Sequence, residues 1–436
     1  MQWVRGGWLA WVATVLSMSL PQETLAYGPI ATRAVCGPKD RVESGLQGQT
    51  TLAERFASGT SQAFNCNLEL VGQYVGEGAG VGFAITERCA YVPQWLIPLP
   101  FTSTLKNPGL MVIDAKDPAT AKVAKYLRTP AMIHPNESPM IHHGRNLLVS
   151  QHFDETNIYG KTTDIYDISD CLNLKLKFSG IIPGFIFHTG DFSPDGTILW
   201  GSTGPNLRAK FPDVGDSITA LDLTDPTKPK VLAQWRTDDP KLVRFHGLSV
   251  SDDGKSAYFT IGEHTYSLVN GKVKPAPYQG IGILDVSEVQ ERKPNPQIRM
   301  IGQPLFWDDV VHNQYLQPVT IKGRKYLYDN RIDGVITSDA KVHTGFSYHH
   351  PRVSPEETCK YGKPGWGYIT FIDIENPRQP TIAGSLKLEV HEPKNCLATA
   401  HDPVFGHGYS PLYCEPDNYQ DAKKMVCGFA EGGVRV

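Results

Sequence analysis

The chain has no tract of basic residues. Its 42 Lys and Arg stand against 45 Asp and Glu, a formal net charge of −3 over 436 residues. Such a balance argues against nucleic acid as a partner. It has no Cys-x-x-Cys pair, so neither a thiolate zinc site nor a thioredoxin-like motif is expected. It has no Gly-x-Ser-x-Gly elbow and no phosphate loop. Gly76, Gly78, Gly80 and Gly82 alternate strictly, so they miss the wider final spacing of a dinucleotide fingerprint. Long apolar runs are also missing. The one candidate, Trp8 to Leu20, has 13 residues, too few for a comfortable transmembrane helix. It follows a single Arg5 and leads to small side chains at Thr24 and Ala26, the pattern of an export signal over residues 1–26. A secreted or periplasmic protein follows, with no transmembrane span once the signal is cleaved near Ala26.

Turn residues are plentiful, with Gly 41 and Pro 33, and 40% of the chain is hydrophobic. These turns are organised. Met111–Pro118, Asp164–Asp170, Ile218–Pro226, Gly282–Ser287 and Ile369–Pro377 are each a β-branched strand running into an Asp, Asn or Pro turn. Each leads to a second strand, respectively Val123–Leu127, Leu174–Phe178, Val231–Trp235, Ile298–Ile301 and Ile382–Leu386. Asp and Asn accept backbone hydrogen bonds in such turns, and Pro presets the backbone angle. A second kind of hairpin lies between them, at Phe192–Trp200, Leu248–Phe259 and Val319–Tyr328, where glycine at the tip is free to take positive φ.

Two hairpins per unit make four antiparallel strands, and units recurring at roughly 40–50 residues predict an all-β fold, a β-propeller of six or seven blades. The strand–Asp-Pro pattern resembles the LVIVD repeat of secreted bacterial β-propellers, from about Leu68 to the C-terminus. That resemblance implies a fold and little about function. The expected division is a signal at 1–26, an N-terminal arm at 27–66 and the propeller at 67–436. Leu68–Val75 reads as the second strand of a hairpin and Gly433–Val436 as the first. Strands from both termini are therefore expected to close the ring.

Eight cysteines, at Cys36, Cys66, Cys89, Cys171, Cys359, Cys396, Cys414 and Cys427, fit disulfides in an exported protein. Cys359 with Cys396, and Cys414 with Cys427, would each staple one irregular insertion. Cys36 or Cys66, if bridged, would tie down the arm.

Histidines recur just ahead of apolar strands: His142 and His143, His188, His246, His312 and His401. Their spacing runs from 46 residues (His142 to His188) to 89 (His312 to His401). Innermost strands line a propeller's central channel, so these positions form a candidate metal site, with strand alternation admitting one of His142 and His143. Neutral imidazole suits a transition metal such as Cu, Fe or Zn. The arrangement resembles the histidine-rich channel sites of nitrous-oxide reductase and the copper-dependent selenium-binding proteins, both propellers. Asp191 and Asp402 follow their histidines closely and read either as partners that orient an imidazole or as solvated turn acids. Glu137 and Arg145 are candidates to bind substrate but read more plainly as a surface salt bridge, His349 and His350 as an exposed loop, and His407 as a residue near the same channel mouth.

Two functions compete. One is an exported metal-dependent oxidoreductase, acting on a small molecule, with His188, His246, His312 and His401 as ligands. The other is a non-enzymatic propeller that binds a protein or glycan through its loops, its histidines only knitting blades together as one per blade does in WD-type propellers.

Overall fold

The computed structural model describes residues 29–51, 53–54, 64–76, 82–94, 106–133, 135, 137–152, 161–202, 217–239, 241–242, 245–262, 266–269, 272–275, 279–307, 312–332, 342–343, 352–353, 359–360, 362–402 and 407–436. The export signal expected at 1–26 lies outside them, as do His349 and His350. No helix among the described residues is long and apolar enough to cross a membrane.

Six antiparallel sheets follow one another along the chain as the blades of a propeller. Blade 1 is Ala84–Ile85, Cys89–Val92, Leu110–Asp114 and Lys122–Leu127. Blade 2 is Met140–His142, Leu147–Gln151, Thr162–Asp167 and Lys175–Ile181. Blade 3 is Thr189–Phe192, Ile198–Ser202, Ser217–Asp222 and Lys230–Arg236. Blade 4 is Leu248–Val250, Ser256–Ile261, Gln279–Asp285 and Arg299–Met300, with Leu305–Trp307 added beside its third strand. Blade 5 is His312–Ile321, Arg324–Ile332, Ile369–Asp373 and Thr381–Leu386. Blade 6 shows three strands among the described residues, Pro411–Pro416, Met425–Phe429 and Gly433–Arg435. First strands of successive blades lie side by side around the centre.

The repeated aspartates explain why the hairpins form. Asp114, Asp167, Asp222, Asp285 and Asp373 each end a third strand, and each accepts a hydrogen bond from the backbone N–H two residues on, at 2.9–3.2 Å. That bond turns the chain back into the fourth strand. At the other hairpin, Gly196 (φ 65°) and Gly254 (φ 71°) take the left-handed conformation, and Asn146 does so in blade 2.

Alternation within a blade divides the core. Leu147 and Val149 pack toward blade 3, whereas Leu148 between them packs toward blade 1. Ile198 and Trp200 face blade 4, whereas Leu199 faces blade 2. The second strands of blades 2 and 3 are therefore apolar on both faces, and their apolar runs are continuous. Between blades 3 and 4 the layer is aromatic, with Phe245 and Phe259 edge-to-face at 4.9 Å and Trp235 against both.

All eight cysteines pair: Cys36–Cys66, Cys89–Cys171, Cys359–Cys396 and Cys414–Cys427. The last two are the pairs expected from the insertions. Four disulfides point to an oxidising compartment. Ring closure differs from the expectation in one detail. Leu68–Val75 belongs to no sheet and runs beside the Pro118 turn of blade 1. Leu70, Val71 and Val75 are exposed there. The Cys36–Cys66 bridge and a left-handed Asn67 direct the chain into that path. Gly433–Arg435 pairs with Met425–Phe429 alone among the described strands.

His391 is fully buried behind blade 6. Its Nδ1 accepts from the Leu388 N–H at 2.8 Å, and its Nε2 donates to the Tyr409 carbonyl at 3.0 Å. Burial pushes its pKa down from 6.5 to about 4. The folded state therefore holds the neutral ring, while the unfolded chain takes up a proton below about 6.5. Stability is present above that value and is lost as pH falls toward 4, by at most about 3 kcal/mol. The buried Asp191 carboxyl is shifted upward and gains stability as pH falls, so the wild-type slope is a sum of the two. The stability lost in His391→Phe isolates the histidine: in denaturant unfolding it should be large at pH 7 and shrink by pH 4.5, and a loss constant across this window would refute the assignment.

Candidate metal centre in the channel

Glu137, His188 and His246 meet at one end of the channel. Their ligand atoms all lie within 4.8 Å of one another, and the group could hold a metal ion. His188 Nε2 is 2.9 Å from His246 Nε2, and Glu137 Oε2 is 3.7 and 3.4 Å from the two nitrogens respectively. Nitrogens about 2.05 Å from an ion stand roughly 2.9 Å apart at a right angle and roughly 3.3 Å apart in a tetrahedron, so these separations fit a shared ion. The side chains are 11%, 7% and 2% exposed for Glu137, His188 and His246, which shields the site from bulk water.

Register explains the convergence. In blade 3, Thr189 pairs with Ser202, the last residue of the second strand, and His188 immediately precedes it. Continuing the pairing Leu248↔Phe259 of blade 4 sets Gly247 opposite Thr260, with His246 just before. In blade 2, Met140↔Val149 continues to Ser138 opposite Gln151, with Glu137 just before. In blade 5, Tyr315 pairs with Asn330, and Gln314 precedes it. The four partners, Gln151, Ser202, Thr260 and Asn330, lie equally far from the residue opposite the turn aspartate. Glu137, His188, His246 and Gln314 thus hold one position in four consecutive blades.

Hydrogen bonds between blades fix the rings. His246 Nδ1 faces the Gln314 carbonyl at 2.7 Å, so Nδ1 carries the proton and Nε2 presents its lone pair to the site. The hydroxyls of Thr189 and Ser202 both donate to the His246 carbonyl. Glu137 Oε2 accepts from Gln314 Nε2 at 2.8 Å and from the Tyr413 hydroxyl at 3.0 Å. Tyr413 stands edge-on to Tyr315 at 5.2 Å, and burial raises both phenols, so the Tyr413 hydroxyl keeps the proton it donates to Glu137.

Of the histidines named from the sequence, the structure brings together His188 and His246. His142 ends its inner strand, five residues past Glu137 and so roughly 16 Å along an extended chain. Both its nitrogens are engaged: Nδ1 accepts from the Arg145 N–H at 3.0 Å, and Nε2 meets the Pro194 carbonyl at 3.1 Å. Its ring lies over Gly196, where a Cβ would come within 2.5 Å of Nδ1. His143 is exposed in the short turn that follows. His312 opens the inner strand of blade 5 two residues before Gln314, and its side chain lies outside the described residues. His401 is exposed beyond the short helix Cys396–Thr399, ahead of the inner strand of blade 6. His407 lies in the turn that precedes that strand.

The surface salt bridge expected of Glu137 and Arg145 is replaced by two separate roles. Arg145 donates to the Gly196, Leu223 and Thr224 carbonyls and clasps blade 2 to blade 3. Neither aspartate orients an imidazole through the bonds seen here. Asp191 accepts from the Val250 and Phe192 N–H groups, and lost hydration pushes its carboxyl up to about 7. Asp402 accepts from Gln49 Nε2 and the Tyr409 hydroxyl. Gln314 and Tyr413 were not legible as site residues. The signal that finds Glu137 is its distance to Gln151, the same as from His188 to Ser202 and from His246 to Thr260.

No family model matches the chain, and no curated protein matches it. Among solved structures it is similar to a candidate 6-phosphogluconolactonase of Bacteroides uniformis, at 12% identity, 71% of each chain and TM-score 0.43. It is similar to the hydrazine synthase of Kuenenia stuttgartiensis at 11% identity, 80% of this chain, 79% of that one and TM-score 0.40. A third is the β-fructofuranosidase BmSUC1 of Bombyx mori, at 10% identity, 70% of this chain, 62% of that one and TM-score 0.39. Likeness at this level carries no functional information. The six sheets themselves define the chain as a six-bladed β-propeller.

Proposed function

We propose that this chain is an exported, LVIVD-type β-propeller that binds one transition metal ion through Glu137, His188 and His246 and serves as a metal-dependent oxidoreductase for a small molecule. The observation that carries the reading is the convergence of three ligand atoms from three consecutive blades at one register position. Two imidazoles and one carboxylate with open positions are the donor set of non-haem iron oxygenases, and the same set also serves zinc. Such an ion would polarise a small substrate or activate O₂ or water. The protein's own part is to orient the ligands. The Gln314 carbonyl sets the His246 tautomer, and Gln314 and Tyr413 fix the Glu137 carboxylate.

A second reading rests on the 2.9 Å contact between the two imidazoles, which a hydrogen bond from His188 Nε2–H to His246 Nε2 also accounts for. On that reading the site is a structural joint and the loops bind a protein or glycan. Metal analysis of protein purified without a histidine tag separates the two. The metal reading expects about one ion per chain in the wild type and none in His246→Ala. Metal-free wild-type protein that also takes up no Fe(II), Zn(II) or Cu(II) would leave the structural joint.

A further inference from the structure

Four consecutive blades contribute one residue each to the same point of the channel, and only three of the four are good metal ligands. The fourth, Gln314, is 3% exposed. Its amide nitrogen lies 2.8 Å from Glu137 Oε2, while its backbone carbonyl takes the His246 Nδ1 proton. Gln314 therefore stands where a fourth protein ligand would stand, with a neutral amide in place of an imidazole or carboxylate. The amide has two N–H groups, and one of them reaches Glu137. Tyr413 approaches the same carboxylate oxygen with its hydroxyl, 3.0 Å away. Both side chains already hold an anionic oxygen at this point, and both present N–H or O–H donors to it.

We propose that Gln314 keeps the fourth ligand position open, and that a small carboxylate-bearing molecule occupies it, with one oxygen on the ion and within reach of the second N–H of Gln314. This deepens the metal reading and rests on it. The Tyr413 hydroxyl and one Gln314 N–H are committed to Glu137, and the second Gln314 N–H suits an anionic oxygen. A neutral amine would bring a further donor against it, and an apolar ligand would leave the N–H unpaired.

The test uses the full chain loaded with Co(II), whose visible absorption reports its ligands, titrated with acetate. The wild-type spectrum should change saturably. In Gln314→His the new imidazole should fill the open position, so Co(II) should bind at least about tenfold more tightly and acetate should no longer change the spectrum. Gln314→Leu, close in volume, removes one donor to Glu137 and should bind Co(II) roughly 10–100-fold more weakly. With the variant saturated in Co(II), acetate should bind roughly tenfold more weakly than to wild type, as expected for one lost hydrogen bond to a charged group. Should Gln314→His fail to fold, Gln314→Leu alone decides. An unresponsive wild-type spectrum, or an acetate response equal to wild type in either variant, overturns the proposal. Failure of the wild type to take up Co(II) would instead remove the metal reading beneath it.

Discussion

Glu137→Ala should lose the metal altogether. The carboxylate is the one anionic ligand of the three, and it neutralises part of the ion's charge in a site whose side chains are at most 11% exposed. Removing a partner that merely supports a ligand costs roughly 10–100-fold in metal affinity, and removing the ligand itself should exceed that. The apoprotein should suffer as well. Gln314 Nε2 and the Tyr413 hydroxyl both donate to Glu137 Oε2, and the alanine variant leaves these two buried donors short of an acceptor. Each such group costs about 1–3 kcal/mol. Glu137→Gln should separate the effects, since its amide oxygen still accepts while its charge is gone. The Gln variant should recover most of the stability and little of the affinity. Isothermal titration of Zn(II) and denaturant unfolding of both variants measure the two quantities. Metal affinity within threefold of wild type in Glu137→Ala would remove the carboxylate from the site.

Breaking the Cys89–Cys171 bridge should be the most costly change away from the channel. This disulfide joins the second strand of blade 1 to the turn that follows the third strand of blade 2, and it closes a loop of sequence separation 82. In the chain-entropy account a loop of that length is worth about 4.5 kcal/mol, because the unbridged unfolded chain recovers the freedom the bridge denies it. Cys89 and Cys171 are buried among Tyr91, Leu110, Leu148 and Ile168, so the double alanine variant also opens space in the layer between blades 1 and 2. Denaturant unfolding of Cys89→Ala/Cys171→Ala should show a midpoint well below wild type. The metal site, formed by blades 2 to 4, should keep its affinity. A wild-type midpoint would show that the two blades are held by packing alone.

The propeller was legible because its hairpins carry chemistry that turns require. Asp114, Asp167, Asp222, Asp285 and Asp373 recur at strand ends, and each makes the same bond to the backbone two residues on. Such local marks leave the count at six or seven blades, and the structure shows six. The site was half legible. His188 and His246 stand where their neighbouring strands suggest, and the same register position in the blades on either side holds Glu137 and Gln314. In blade 2 a histidine occurs at the far end of the inner strand, and the true equivalent is a glutamate. In blade 5 the bulge between Asn313 and Tyr315 shifts the register, which sets Gln314 in the equivalent place two residues past His312. A strand position is decided by pairing, and pairing is marked by the turn aspartates more faithfully than by the functional side chains. The closing strand could not be read at all from Leu68–Val75, whose apolar pattern fits a hairpin while the Cys36–Cys66 bridge sets its path.

The central claim is that Glu137, His188 and His246 share one ion. Crystals of tag-free protein, with data collected on both sides of the absorption edges of iron, copper and zinc, test it most directly. One anomalous peak is expected about 2.0–2.2 Å from both Nε2 atoms and from Glu137 Oε2. No anomalous peak after soaking in each metal, with the imidazoles still in direct contact at 2.9 Å, would contradict it.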